Sequence, residues 1–167
     1  MSMKVMIRTI GAEEWPVWRD LRLRALADAP DAFRPTLKDE SNQPDQWWDE
    51  LIRATVEHPR GGLWVAWADE DAVGMLFGRV DDEHTVLEIG AMWVAANVRR
   101  HGVGTGLIEA AIDWARGFGV SEASLWATEH NAEAAAFYRR HGFQSTEETD
   151  GLRPGSHLTV RKLKTVL

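Results

Sequence analysis

The chain has 167 residues, of which 44% are hydrophobic and 27% charged, as expected of a globular domain large enough to bury its own core. Its formal net charge of -7 argues against nonspecific nucleic-acid binding, which needs a basic surface. No apolar run is long enough to span a membrane. We therefore expect one domain over residues 1–167 that binds neither nucleic acid nor membrane.

The missing residue types narrow the chemistry further. The sequence has no cysteine, which excludes disulfides, thiolate metal sites and a cysteinyl acyl-enzyme. The six histidines show no metal-ligand spacing, so no metal is expected. The stretch from Met1 to Val5 contains no signal-peptide core, which favours a soluble cytoplasmic protein.

The apolar periodicity predicts an alternation of strands and helices. In chain order, the first half contains a strand at 4–10, a helix from Glu13 towards Ala29, a polar loop at 28–43, a helix at 44–56, and strands at 63–68, 72–80 and 85–95. The second half contains a helix at 103–118, a strand at 123–128, a helix at 131–141, a strand from Phe143 and a closing strand at 157–163. This order predicts an α/β fold on a mixed sheet.

A basic, glycine-rich turn at 99–106 is the most informative stretch of the chain. It has the sequence Arg-Arg-His-Gly-Val-Gly-Thr-Gly and joins the apolar strand at 87–94 to an amphipathic helix. A strand, a turn of small residues and a helix start place several free backbone N–H groups around one concave point. The helix dipole adds partial positive charge there, so the turn suits a phosphate or pyrophosphate group.

Two well-known nucleotide-binding turns fit these glycines poorly. A P-loop ends in Gly-Lys-Ser/Thr, and residues 102–106 contain no lysine. A dinucleotide fingerprint needs G-x-G-x-x-G, but Leu107 stands where the third glycine belongs, and three strands precede the turn. Glu129 lies near the place of the acid that usually follows, so the dinucleotide interpretation is weakened and stays open.

A third pattern fits best. Arg99-x-x-Gly102-x-Gly104 resembles the acyl-CoA pyrophosphate loop of the GCN5-related N-acetyltransferase (GNAT) family, whose pattern is Arg/Gln-x-x-Gly-x-Gly/Ala. The stretch 131–143 resembles the family's second cofactor motif: an Asn, a small residue, an aromatic–Tyr pair, basic residues and Gly-Phe. With the strand before them, the motifs cover 84–143, and one departure is Ala96, where the family often has proline. The resemblance implies a single-domain GNAT-like fold, with a mixed, mostly antiparallel sheet of about seven strands flanked by about four helices.

The resemblance also implies a set of acetyl-CoA contacts. The backbone amides of 99–105 would hold the pyrophosphate, and the end of the preceding strand would pair with the pantetheine arm and offer an N–H to the thioester carbonyl. Arg99 and Arg100 could otherwise be a solvated pair, and Asn131 is also a good helix N-cap. The implied contacts are Met92, Trp93, Val94, Arg99, Arg100, His101, Gly102, Val103, Gly104, Thr105, Asn131, Ala134, Phe137 and Tyr138.

Two residues are candidates for acid–base catalysis. Tyr138, the only tyrosine, stands at the family position whose hydroxyl protonates the leaving thiolate; its alternative role is packing. Glu88 lies in an apolar strand, where a carboxylate is costly to bury, and glutamates near this position act as the base in some members. A structural carboxylate bonded to a neighbouring loop is an equal alternative for Glu88. Side chains that could act through a water are Asp81, Asp82, Glu83, His84, Glu129 and His130.

The acceptor side carries no specific motif. Phe33 and Arg34 lie in the region that covers the acceptor in similar proteins, and Trp126 is a candidate pocket wall. The resemblance implies an acetyl-CoA-dependent N-acetyltransferase, in which a primary amine of a small molecule or peptide attacks the thioester directly in a ternary complex. A CoA-binding regulatory module and a dinucleotide-dependent oxidoreductase stay open as alternatives. Homodimers are common among similar proteins, although no feature of this sequence establishes one.

Overall fold

A seven-stranded sheet organises the chain. The computed structural model describes residues 3–167, so Met1 and Ser2 of the predicted domain lie outside the described residues. The strands are β1 (Val5–Thr9), β2 (Gly61–Ala68), β3 (Asp71–Val80), β4 (Val86–Val94), β5 (Glu122–Thr128), β6 (Gln144–Gly151) and β7 (Thr159–Val166). The helices are α1 (Trp15–Asp28), α2 (Leu37–Ser41), α3 (Asp45–Val56), α4 (Val103–Arg116) and α5 (Ala132–Arg140).

The predicted mixed, mostly antiparallel sheet is confirmed. The strand order is β1-β2-β3-β4-β5-β7-β6, and of the neighbouring pairs only β4 and β5 are parallel. Helices cover both faces: a Cβ on Gly74 of β3 would meet Leu107 of α4, whereas the next residue, Met75, faces the side of α1. No helix in residues 3–167 has the length and apolarity needed to cross a bilayer.

The segment expected to be a polar loop at 28–43 contains α2, which raises the number of helices from the expected four to five. Thr36 caps this helix by accepting a hydrogen bond from the Asp39 N–H at 3.1 Å. Arg22 of α1 holds it in place, since its Nε donates to the buried Glu40 carboxylate at 2.6 Å. The Thr-x-x-Asp spacing was the available signal, but five residues are too few to show helical periodicity.

The feature that positions the site is the divergence of β4 and β5. The two strands pair only from Val86↔Glu122 to Ile89↔Leu125. Both continue beyond this point, β4 to Val94 and β5 to Thr128, without pairing with each other. One edge of each strand is therefore open along a shared gap.

A β-bulge in β4 lies at the start of this gap. The β3–β4 register shifts between Met75 and Phe77, and Ala91 has a φ of 51°, in the left-handed region that is unfavourable for a residue with a Cβ. Gly90 pairs with Phe77 and Trp93 with Met75, so Trp93 continues the face of Glu88 and Gly90. Strict alternation along β4 would place Met92 on this face as well, but the extra residue of the bulge moves it to the opposite face.

Gly106, the third glycine of the turn, contributes to packing. A Cβ at this position would overlap Cδ1 of Ile7 on β1. Although Gly106 belongs to the turn that is expected to suit a phosphate, it does not line the cavity described below; its lack of a side chain brings α4 close to β1.

We expect Gly106→Ala to be tolerated better beside Ile7→Val than in the native background, since valine lacks the Cδ1 atom that the new methyl meets. A double-mutant cycle of denaturant unfolding should give a coupling of about 1 kcal/mol in the free energy of unfolding. Gly11→Ala is the control, because a Cβ there meets nothing within 4 Å and should not couple to Ile7. Additivity of Gly106→Ala and Ile7→Val within about 0.3 kcal/mol would contradict the packing role.

Candidate functional site

A cavity of about 840 Å³ lies where β4 and β5 diverge, a volume in the range of small-ligand sites. Residues 89–94 of β4 and 125–128 of β5 form its middle. On the side of α4 and α5 it is lined by the glycine-rich turn and by Phe137; on the side of α1 it is lined by Phe33 and Trp126. The cavity therefore connects the two faces of the sheet through the gap between the strands.

The first turn of α4 offers three unpaired backbone donors to this cavity. Gly102 is the N-cap with a φ of 79°, a conformation that favours glycine. The first bond inside the helix runs from the Gly106 N–H to the Gly102 carbonyl, so the N–H groups of Val103, Gly104 and Thr105 precede it and are free for a ligand. Together with the dipole of a 14-residue helix, these N–H groups have the chemistry that an anion requires.

Close packing of α4 and α5 shapes the same end of the cavity. A Cβ on Gly104 would stand 3.0 Å from Cζ of Phe137 and 3.1 Å from Cε of Met92. His141 joins the two helices: its Nδ1 donates to the Phe137 carbonyl at 2.9 Å, and its Nε2 pairs with the Thr105 hydroxyl at 3.0 Å. Sequence reasoning assigned no role to His141, and its place within the second motif was the only signal.

The N-terminus of α5 is capped as the sequence predicts. The Asn131 side chain accepts a hydrogen bond from the Ala134 N–H at 3.0 Å, which confirms the N-cap role. Both residues also line the cavity. A cofactor contact by the remaining amide group of Asn131 stays a prediction.

Tyr138 presents a phenol to the cavity from α5. Its ring packs against Phe137 and Phe143, with centroids 5.4 and 5.9 Å away. Its hydroxyl forms no hydrogen bond with another residue of the described chain. Burial raises the pKa of Tyr138 to about 12, so the hydroxyl is protonated at neutral pH and able to donate.

The arginines near the turn differ in their surroundings. The Arg99 guanidinium already forms two hydrogen bonds within the protein. Its Nε donates to the Val94 carbonyl at 2.9 Å and its Nη2 to Asp28 Oδ2 at 2.6 Å. Arg100 and Arg140 also line the cavity, yet neither forms an ion pair within residues 3–167. Two uncompensated positive charges therefore lie beside the free N–H groups of α4.

The opposite end of the cavity is apolar, and two arginine side chains contact the segment that forms its wall. Phe33 is 6% exposed, with the Arg22 guanidinium 4.8 Å above its ring, whereas Trp126 is 42% exposed at the rim. Arg153, from the β6–β7 connection, donates to the carbonyls of Phe33 at 2.7 Å and Arg34 at 2.9 Å. It thereby fixes the segment that carries Phe33. No local sequence pattern predicts this long-range contact.

Three of the predicted site residues do not line the cavity. Arg34 donates to Asp150 at 3.2 Å and lies 5.7 Å from the Trp126 ring, outside the lining. His101 is exposed in the turn. Glu88 is exposed and pairs in register with Arg79 on β3. All other predicted site residues line it: Phe33, Met92, Trp93, Val94, Arg99, Arg100, Gly102, Val103, Gly104, Thr105, Trp126, Asn131, Ala134, Phe137 and Tyr138.

The alternative bases also lie outside the lining, and three of them have structural partners. Asp82 accepts a hydrogen bond from Arg60. Asp81 accepts hydrogen bonds from the N–H groups of Thr85 and Val86; burial opposes these bonds, but their net effect lowers the pKa of Asp81. Glu129 accepts from the Thr159 hydroxyl and from Arg161, which lower the pKa of Glu129. Among residues 3–167, no three His, Asp or Glu side chains are grouped as metal ligands would be.

Comparisons with known proteins agree with this geometry. The model of the acetyltransferase (GNAT) family matches residues 18–143. A Mycobacterium tuberculosis protein named "Probable N-acetyltransferase" is 27% identical over 90% of this chain and 82% of its own. The crystal structure of a GNAT acetyltransferase from Streptococcus pneumoniae, 16% identical, covers 98% of this chain and 99% of its own with a TM-score of 0.82. The structure of the PaiA N-acetyltransferase of Thermoplasma acidophilum was solved in complex with coenzyme A. It is 13% identical and covers 99% of this chain and 100% of its own, with a TM-score of 0.70.

The family match spans well over half of the sequence and includes both motifs that line the cavity. The solved structures match this fold over 98% or more of the chain. The chain therefore belongs to the GNAT family of acetyltransferases.

Proposed function

We propose that the domain formed by residues 1–167 transfers the acetyl group of acetyl-CoA to a primary amine of a cytoplasmic small molecule or peptide. The observation that carries this proposal is the cavity between β4 and β5, whose two ends differ in chemistry. One end has free N–H groups and unpaired arginines, as a pyrophosphate requires. The other end has Phe33 and Trp126, which suit the organic part of an acceptor.

Acetyl-CoA fits the groups along this path. The N–H groups of Val103, Gly104 and Thr105 hold the pyrophosphate, with Arg100 beside them. The open edge of β4 lies between this site and the acceptor end, where it can pair with the two amides of the pantetheine arm. The coenzyme A bound to the Thermoplasma acidophilum relative supports this choice of ligand.

The reaction follows from this placement. The neutral amine nitrogen attacks the acetyl carbonyl carbon and forms the C–N bond, while a backbone N–H of β4 donates to the carbonyl oxygen that becomes negative. The C–S bond then breaks, and the Tyr138 hydroxyl gives its proton to the leaving sulfur. Water removes the surplus proton of the amine and returns one to Tyr138. Because Glu88 lies outside the lining, its role as base runs through a water.

A CoA-binding module without turnover would use the same cavity. Turnover is favoured because the chain belongs to the acetyltransferase family and Tyr138 supplies a protonated hydroxyl at the cavity. A dinucleotide-dependent oxidoreductase is not supported, because the chain belongs to the acetyltransferase family.

We expect the protein to release free CoA from acetyl-CoA in the presence of at least one class in a panel of small primary amines and peptides. A thiol reagent reports the release without background, because the chain has no cysteine. Gly104→Val should lose acetyl-CoA binding, since its side chain meets Phe137 and Met92. Gly151→Val, at a position with nothing within 4 Å, is the matched control and should bind normally. Tight acetyl-CoA binding with no release for any amine would favour the regulatory module.

We expect Tyr138→Phe to lower kcat about a hundredfold, because the leaving thiolate loses its proton donor. The acetyl-CoA dissociation constant, measured by calorimetry, should stay within about twofold of the wild-type value, since the ring and its packing are kept. An unchanged kcat would remove Tyr138 from the acid role.

The pKa of Tyr138 can be measured directly, because it is the only tyrosine of the chain. The phenolate absorbance should have its midpoint near pH 12 in the folded protein and near about 10 in denaturant. The folded-state pKa is raised, so the stability contributed by Tyr138 is complete below pH ~10 and is lost as the pH rises towards 12. Tyr138→Phe should therefore lose less stability than the wild type across this interval. A folded-state midpoint near 10 would contradict the buried environment.

A further inference from the structure

The hydrogen bonds of the Arg99 side chain argue against a role in phosphate binding. Its Nε donates to the carbonyl of Val94, and its Nη2 donates to Asp28, at 2.9 and 2.6 Å. A planar guanidinium that bridges two fixed acceptors has a fixed orientation. Arg99 therefore links three separate pieces of the chain: the end of α1, the end of β4 and the turn before α4.

Asp28 is the carboxylate that holds the Arg99 guanidinium in place. It is the last residue of α1, where the helix dipole disfavours a negative charge. Two donors offset this, since Trp93 Nε1 also binds Asp28 Oδ2, at 3.0 Å. The hydrogen bond from Trp93 and those from Arg99 lower the pKa of Asp28 despite its partial burial, so it is ionised throughout the neutral range.

Val94 is the residue through which Arg99 contacts the open edge of β4. It faces Gly74 of β3, and the neighbouring bond runs from the Ala95 N–H to the Val73 carbonyl at 2.8 Å. In an antiparallel ladder, this makes Val94 a non-hydrogen-bonded position whose own N–H and C=O point away from β3. They point towards the gap left by β5, and Arg99 binds the C=O.

The charge that a phosphate needs is present without Arg99. Arg100 and Arg140 both line the cavity, and within residues 3–167 neither has a carboxylate partner. The guanidinium carbon of Arg140 lies 5.9 Å from the centroid of the Phe137 ring. These two side chains can turn towards a phosphate without giving up an ion pair.

We propose that Arg99 is a positioning residue that, anchored on Asp28, holds the open edge of β4 in place for the pantetheine arm, while Arg100 and Arg140 meet the phosphates. The proposal rests on the proposed function, because it assumes that the cavity binds acetyl-CoA. It separates two adjacent arginines of one motif into different roles.

The test compares acetyl-CoA with S-acetylpantetheine, the same thioester without the nucleotide and its phosphates. Dissociation constants come from calorimetry, by direct titration for acetyl-CoA and by competition for S-acetylpantetheine. Arg99→Gln should weaken both ligands by the same factor, about tenfold, because both use the edge of β4. Arg99→Lys should behave like Arg99→Gln, since an ammonium cannot bridge Val94 and Asp28 as a guanidinium does. Arg100→Gln should weaken acetyl-CoA alone.

Asp28→Asn gives an independent result that differs between the two roles. If Arg99 positions β4, loss of the negative charge that anchors it weakens both ligands. If Arg99 is a phosphate ligand, its release from Asp28 leaves S-acetylpantetheine unchanged and keeps or improves acetyl-CoA binding. This variant also decides the question should Arg99→Gln fail to fold, which thermal unfolding would reveal.

Two results would overturn the positioning role. They are a loss confined to acetyl-CoA in Arg99→Gln, and affinities for both ligands that do not change in Arg99→Gln or Asp28→Asn. A wild-type protein that binds neither thioester would instead contradict the proposed function, so the two failures are distinguishable.

Discussion

The site depends on the parallel pairing of β4 and β5 ending early. Four residue pairs hold the strands together, and beyond Ile89 and Leu125 each strand keeps one edge without a strand partner. Unpaired backbone groups inside a protein are costly unless a ligand or water satisfies them. In this fold the open edges lie along a cavity that reaches both sides of the sheet, so the backbone itself becomes a binding surface. The helices α4 and α5 close one side of this gap, and the segment after α1 closes the other.

The surroundings of the gap are held by polar links between distant parts of the chain. His141 joins α5 to the first turn of α4, Arg99 joins β4 to α1, and Arg153 joins the β6–β7 connection to the segment after α1. Each link ends on a backbone carbonyl or a residue that lines the cavity. Hydrogen bonds from charged groups are stronger than neutral ones, which suits a site whose walls come from separate elements.

Much of the fold and the glycine-rich side of the cavity could be predicted from the sequence, because the signals there are local. The glycine-rich turn, the N-cap at Asn131 and the helix that follows depend on residues a few positions apart. The bulge at Ala91 could not be predicted, since one added residue leaves the apolar composition of β4 unchanged while reversing its faces. The roles of Asp28 and Arg153 depend on contacts across 71 and 120 positions of the chain, for which a single sequence holds no pattern.

The link made by Arg153 has a consequence for how the Phe33 end of the cavity can change. The wall around Phe33 takes its shape from a guanidinium that belongs to another loop, so the two loops form one structural unit despite their separation in the chain. An alteration in the β6–β7 connection can therefore reshape the pocket without replacing any residue that lines it. Transplanting either loop alone from a relative would leave three backbone carbonyls or one arginine without their hydrogen bonds. If the Phe33 end binds the acceptor, as proposed above, a change of acceptor requires both loops to change together.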